Sequence, residues 1–150
     1  MKTASRFRLF LLIVVLFLSG CFYRMEQQYP SFHDLENTHN LRDQGWFPDI
    51  AGPDGVHLRE AHSLNDTESF GKFSYIDYRR IDSVLSNREI YSLVTSDSLN
   101  QFIKRFKSIQ VPDWFLKKED YSGKMMFRKQ DMYFIQSKED RTIYFAYKPY

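Results

Sequence analysis

Glu60, His62, Asp66 and Glu68 make up the densest group of titratable side chains in the sequence. Glu60 and His62 are two residues apart, so on a strand they share a face, where a carboxylate can orient and charge-couple an imidazole for general-base chemistry. Such a pair would serve a hydrolase-like reaction if a nucleophile stood beside it. Ser63 projects to the other face, and Asn65, Asp66 and Thr67 are the residue types that a hairpin turn collects for its own geometry. The constellation reads first as a hairpin tip, with a hydrolase using Glu60 and His62 as the alternative. Histidines 33, 39, 57 and 62 raise the question of a metal, since neutral imidazole is a common zinc ligand. His33 and His39 fall on different faces of a helix, His57 and His62 on opposite faces of a strand, and the single cysteine offers no thiolate pair. The sequence therefore points to no metal and no cofactor.

Two other residue classes could recognise a partner. The chain holds 14 Phe, 10 Tyr and 2 Trp, which suits a core built from large side chains better than a stacking platform for sugars or peptides. Trp46 lies in the Gly- and Pro-rich stretch 45–55, and Trp114, with Phe115, follows Pro112 and precedes Lys117 and Lys118. Lys104, Arg105 and Lys107, together with Lys117 and Lys118, are placed to meet anionic lipid or an acidic partner. The candidate interaction surface is thus Trp46, Glu60, His62, Asp66, Lys104, Lys107 and Trp114.

These residues need elements to carry them. Residues 56–63 alternate as a strand with Val56, Leu58, Glu60 and His62 on one side, and 68–79 form a second, aromatic strand. Ser31 with Asp34 reads as a capping box opening a helix over about 31–43. A short helical stretch around Ile81, Val84 and Leu85 precedes a strand over 89–95. Leu99, Phe102, Ile103, Phe106 and Ile109 fall on one arc and predict a long amphipathic helix over 97–109. Residues 124–129, 131–137 and 141–147 read as an antiparallel meander. The predicted fold is a single α+β domain over 31–150, an antiparallel sheet with one long amphipathic helix and short helices.

The first twenty residues are an address. Lys2, Arg6 and Arg8 precede ten consecutive apolar residues at 9–18, then Ser19, Gly20 and Cys21, which is the layout of a cleaved export signal too short to span a membrane. Leu18-Ser19-Gly20-Cys21 closely resembles the lipobox of bacterial lipoproteins, and the resemblance implies acylation of Cys21 and cleavage before it. Residues 21–30 then read as a lipidated tether. The full chain has 21 Lys and Arg against 19 Asp and Glu. Loss of Lys2, Arg6 and Arg8 leaves 18 against 19, a net charge of −1, which speaks against nucleic acid as a partner.

Residues 45–75 resemble small bacterial lipoproteins with a YbbD-head type domain. Gly45, Trp46, Phe47 and Pro48 match the connector of that pattern, His62, Leu64, Asp66 and Thr67 its strand end and turn, and Gly71, Phe73 and Tyr75 its aromatic strand. Ala51-Gly52-Pro53-Asp54-Gly55 replaces the usual Pro-x-Ser-Ala run, and Asn65-Asp66-Thr67 is either a permuted or a one-residue-shifted turn. The resemblance implies a fold and an anchor, and no activity. The expectation is a lipid-anchored envelope lipoprotein, on the outer membrane if the cell is Gram-negative, binding an envelope protein without catalysis. An immunity or inhibitor lipoprotein directed against a toxin or lytic enzyme is a narrower alternative.

Overall fold

Phe134 with Ile135, and Phe145 with Ala146, are adjacent pairs in which both residues are buried. A strand that is apolar at both parities has to be covered on both sides. The computed structural model, which describes residues 24–38, 47–63 and 67–149, has that arrangement. Strands β1 (Arg24–Ser31), β2 (Gly55–Ser63), β3 (Ser69–Tyr75), β4 (Ser92–Leu93), β5 (Met125–Lys129), β6 (Met132–Ser137) and β7 (Thr142–Tyr147) make one sheet in the order β1-β2-β3-β7-β6-β5-β4. Every pairing is antiparallel.

Three short helices and the connecting loops cover the two faces. On one face Leu58, Phe73, Phe134, Ile143 and Phe145 pack under α1 (Phe32–Asn37), α2 (Tyr78–Ser86) and the 3-10 turn Asp49–Ala51. On the other Phe70, Tyr133, Ile135 and Ala146 pack under α3 (Ser96–Ile103), Ile109, Phe115 and Tyr121. The aromatic abundance is thereby explained. Phe102 stacks on Tyr133 at 4.2 Å between ring centroids, and Phe70 meets Phe106 at 4.5 Å and Phe115 at 4.9 Å.

The long amphipathic helix is corrected to eight residues. Thr95 caps α3 by accepting the Ser98 N–H, and the helix ends at Ile103. Arg105 and Phe106 already donate to carbonyls three residues back. To continue the helix, the N–H groups of Lys107 and Ser108 would have to bond Ile103 and Lys104. The Glu68 carboxylate takes them instead, at 3.1 and 2.9 Å. Phe106 and Ile109 still pack against the same face, so the periodic pattern was a packing signal that the backbone follows for only two turns. The fold is therefore a seven-stranded antiparallel sheet with short helices.

Other bounds also move. Residues 24–30, read as part of the 21–30 tether, form with Ser31 the edge strand β1, paired along its length with β2. The Ser31–Asp34 capping box is present, and α1 stops when the Thr38 N–H turns back to Asp34 and Leu35. β3 ends at Tyr75 because Asp77 caps α2 through the N–H groups of Arg79 and Arg80. The strand expected over 89–95 is only Ser92–Leu93. In β2 the register shifts between Val56 and Arg59, around His57 in the left-handed region (φ 52), so the alternation carrying Glu60 and His62 begins at Leu58. Among the described residues no helix is long and apolar enough to cross a membrane.

Candidate functional site

β2 brings Glu60 and His62 together as the alternation requires. Nδ1 of His62 lies 2.9 and 3.0 Å from the two carboxylate oxygens, and each side chain is 1% exposed. Gln27 of β1 stands opposite Glu60 and Met25 opposite His62, with Gly71 and Ser69 of β3 on the other side. The ring of Phe145 lies over Gly71 so closely that a Cβ there would be 2.0 Å from Cζ. Burial pushes the Glu60 carboxyl above its usual range, and the hydrogen bond and charge of His62 offset this only in part. Burial, and the charge of Glu60, likewise raise the Tyr29 phenol, whose hydroxyl donates to Gln27 Oε1.

A buried acid and base in contact can hold a proton between them, but acyl transfer also needs a hydroxyl delivered to the imidazole. Ser69 is the Cα partner of His62 and is fully buried, yet its Oγ bonds neither the imidazole nor any other group. Ser69 therefore does not serve this pair as a nucleophile.

Glu68 belongs to a different structure. Alternation along β3 turns it to the face of Phe70, opposite to Glu60 and His62. There its buried carboxylate accepts from Lys107 and Ser108 and pairs with the Lys148 ammonium. The four-residue constellation is thus divided between two faces of the sheet, and Asp66 lies outside the described residues. So do Cys21 and Trp46.

Trp114 is half-buried and Phe115 is wholly buried, so of that pair only Trp114 reaches the surface. Its indole N–H donates to Glu26 Oε2 at 3.2 Å, and the Arg59 guanidinium sits 4.9 Å from the ring centroid, with Lys72 at 5.9 Å. Glu26 also takes Arg59 at 2.8 Å and Arg24 at 2.6 Å. Burial alone would raise the Glu26 carboxyl. The hydrogen bonds from Arg59 and Trp114 and the charges of Arg24 and Arg59 outweigh it and hold the carboxyl below its usual range. A cleft of ≈ 450 Å³ opens beside this cluster, lined by Gln28, Tyr29, Pro30, His57, Leu58, Arg59 and Lys72. The sequence reading missed Glu26, Arg59 and Lys72 because it treated β1 as a tether. Alternation across 24–31 would have placed Glu26 on the face of Arg24 and Gln28.

Lys104 and Lys107 are exposed at the C-terminal end of α3. Lys118 pairs with Asp97 at the N-terminal end of the same helix, at 3.7 Å, so the basic residues expected to act together are separated. The described histidines are also apart: His33 accepts from Asn37 on α1, His57 sits on the β2 bulge, and His62 is in the core. Among the described residues no three His, Cys, Asp or Glu side chains are grouped as metal ligands.

No curated protein and no solved structure matches the chain. The family model described as the YbbD head domain matches residues 24–74. This span reaches further toward the N-terminus than the motif residues of 45–75 and includes the edge strand. The β1-β2-β3 part of the sheet is therefore similar to a YbbD head domain.

Proposed function

We propose that the protein is a lipid-anchored binding domain of the bacterial cell envelope, attached through Cys21 and acting without catalysis on an envelope protein. The observation that carries this reading is where the sheet begins. Arg24, the first residue of β1, follows Cys21 by three positions, a reach of about 10 Å at most. A lipid on Cys21 would hold the folded body against its membrane. Closure of Glu60 and His62 from solvent supports a structural role for the pair, since a general base has to reach its substrate. Exposed Ile76 (64%) and Tyr78 (51%) stand at the end of the sheet away from Arg24, where a membrane-held domain would meet another protein.

Membrane fractionation and mass spectrometry of the mature N-terminus, comparing wild type with Cys21→Ala, test the anchor. The expected result is a wild-type chain cut before Cys21 and acylated, and a variant that is soluble or unprocessed. Identical behaviour of the two proteins refutes the reading. A photo-crosslinker at position 78 should capture an envelope protein from the acylated chain, and capture of lipid alone counts against the binding role.

A further inference from the structure

We infer that the end of the sheet nearest Cys21 is a cationic footprint that rests on anionic lipid headgroups; the inference depends on the lipid-anchor reading above. β1 runs away from Arg24, and each neighbouring strand runs opposite to the one beside it. The registers Arg24 with Ser63, Ser69 with Tyr147, and Met132 with both Tyr147 and Lys129 place those residues at one end. Glu68, the residue before β3, brings in the backbone of Lys107 and Ser108, and with it the C-terminal end of α3. Five cations drawn from three separate segments therefore lie at this end: Arg24, Lys104, Arg105, Lys107 and Lys148, while Lys129 stands further along the sheet in a cleft with Asp49 and Asp131.

Two acids at this end are already engaged by protein groups. Glu68 is buried against Lys107, Ser108 and Lys148, and Glu26 is engaged by Arg24, Arg59 and Trp114. Asp131, in the turn between β5 and β6, and exposed Asp49 line a cleft with Lys129 and offset it, so the positive excess here is carried by the end of α3. The chain that follows residue 20 carries 18 cations against 19 anions, so an excess of positive charge here leaves the rest of the body negative. The domain is polarised along its strands, and its positive end lies at most about 10 Å of chain from the lipidated cysteine. Screening at physiological ionic strength acts over about 8 Å, so these charges sit where an anionic surface is still felt. Lys117 and Lys118 are excluded from the footprint by the Lys118–Asp97 pair at the far end of α3.

The test is amine-reactive mass tagging of the acylated chain in vesicles of phosphatidylcholine with and without phosphatidylglycerol. Lys138, at the opposite end of β6, serves as the internal reference. Tagging of Lys104 and Lys107 relative to Lys138 should slow several-fold when phosphatidylglycerol is present and recover in high salt. Arg105→Glu, which leaves every tagged amine in place, should weaken the protection. If that variant is unfolded, the salt comparison on wild type stands alone. Equal tagging in the two vesicle types from a chain shown to be acylated overturns the footprint and leaves the anchor intact. Protection seen only in native membranes, and not in phosphatidylglycerol vesicles, assigns this end to an acidic protein and also overturns it. An unmodified Cys21 in the native chain removes the anchor and the footprint together.

Discussion

Glu68 joins a strand start, a helix end and β7 through one buried carboxylate, and Glu68→Gln tests that role directly. The carboxylate accepts the Ser108 N–H at 2.9 Å and the Lys107 N–H at 3.1 Å, and pairs with Lys148. Glutamine keeps one acceptor oxygen and turns an NH2 toward groups that are themselves donors. One charge-assisted bond to a backbone N–H is lost, worth about 1.5–3 kcal/mol. Lys148 retains contact with water at 19% side-chain exposure, so loss of its partner adds under about 1 kcal/mol. The total is about 2–4 kcal/mol. At about 4 °C per kcal/mol for a domain of this size, Tm should fall by about 8–16 °C. Lys148→Met added to Glu68→Gln should then have little further effect, which a double-mutant cycle measures. Thermal and urea unfolding followed by circular dichroism give the stability, and hydrogen exchange at the Lys107 and Ser108 amides gives the local effect. A loss below about 1 kcal/mol, with both amides as protected as before, would refute the claim that this carboxylate holds the end of α3.

Further perturbations probe both faces of the sheet. Gly71→Ala places a methyl 2.0 Å from Cζ of Phe145 and should destabilise by about 1–3 kcal/mol in urea unfolding; Phe145→Leu in the same chain should recover part of that loss, and no recovery would place the strain elsewhere. The two perturbed carboxylates should give opposite pH dependences. Glu60 is raised in the folded state, so its contribution is fully present below the ordinary carboxyl range and is lost as pH rises through the raised value. Glu26 is lowered, so its contribution is present above that range and is lost as pH falls through the lowered value. Stability measured from pH 3 to 8 should lose the first trend in Glu60→Gln and the second in Glu26→Gln, and unchanged profiles would reject both environments.

Much of the C-terminal half was legible in the sequence. The runs that became β5, β6 and β7 are short, aromatic and separated by turn residues, so both their type and their order followed from local pattern. The Ser31 capping box and the pairing of Glu60 with His62 were also local, at spacings of three and two. What escaped was set at a distance. β1 is an edge strand, and an edge tolerates Arg24, Glu26 and Pro30 because one side needs no partner, so its composition resembles a linker. The end of α3 is set by a carboxylate 39 residues away, which no window on the helix itself can contain. The packing of Phe145 over Gly71, the residue opposite Glu60, is likewise a fact of sheet order rather than of spacing.

Sheet order has a consequence for the route by which this chain reaches its fold. β3 finds its second partner in β7, with Phe73 opposite Ile143, about seventy residues further along. The three strands within 24–74 can form a meander early, but Phe70 and Phe73 stay uncovered along that side until residues 142–147 arrive. Long-range closure of this kind slows folding, because the entropy of joining distant segments is lost before the contacts form. The open side of β3 is meanwhile an apolar strand edge available to other chains. Folding should therefore behave as a late, concerted step that waits for β7, and a chain ending before Thr142 should populate aggregates rather than a smaller native domain.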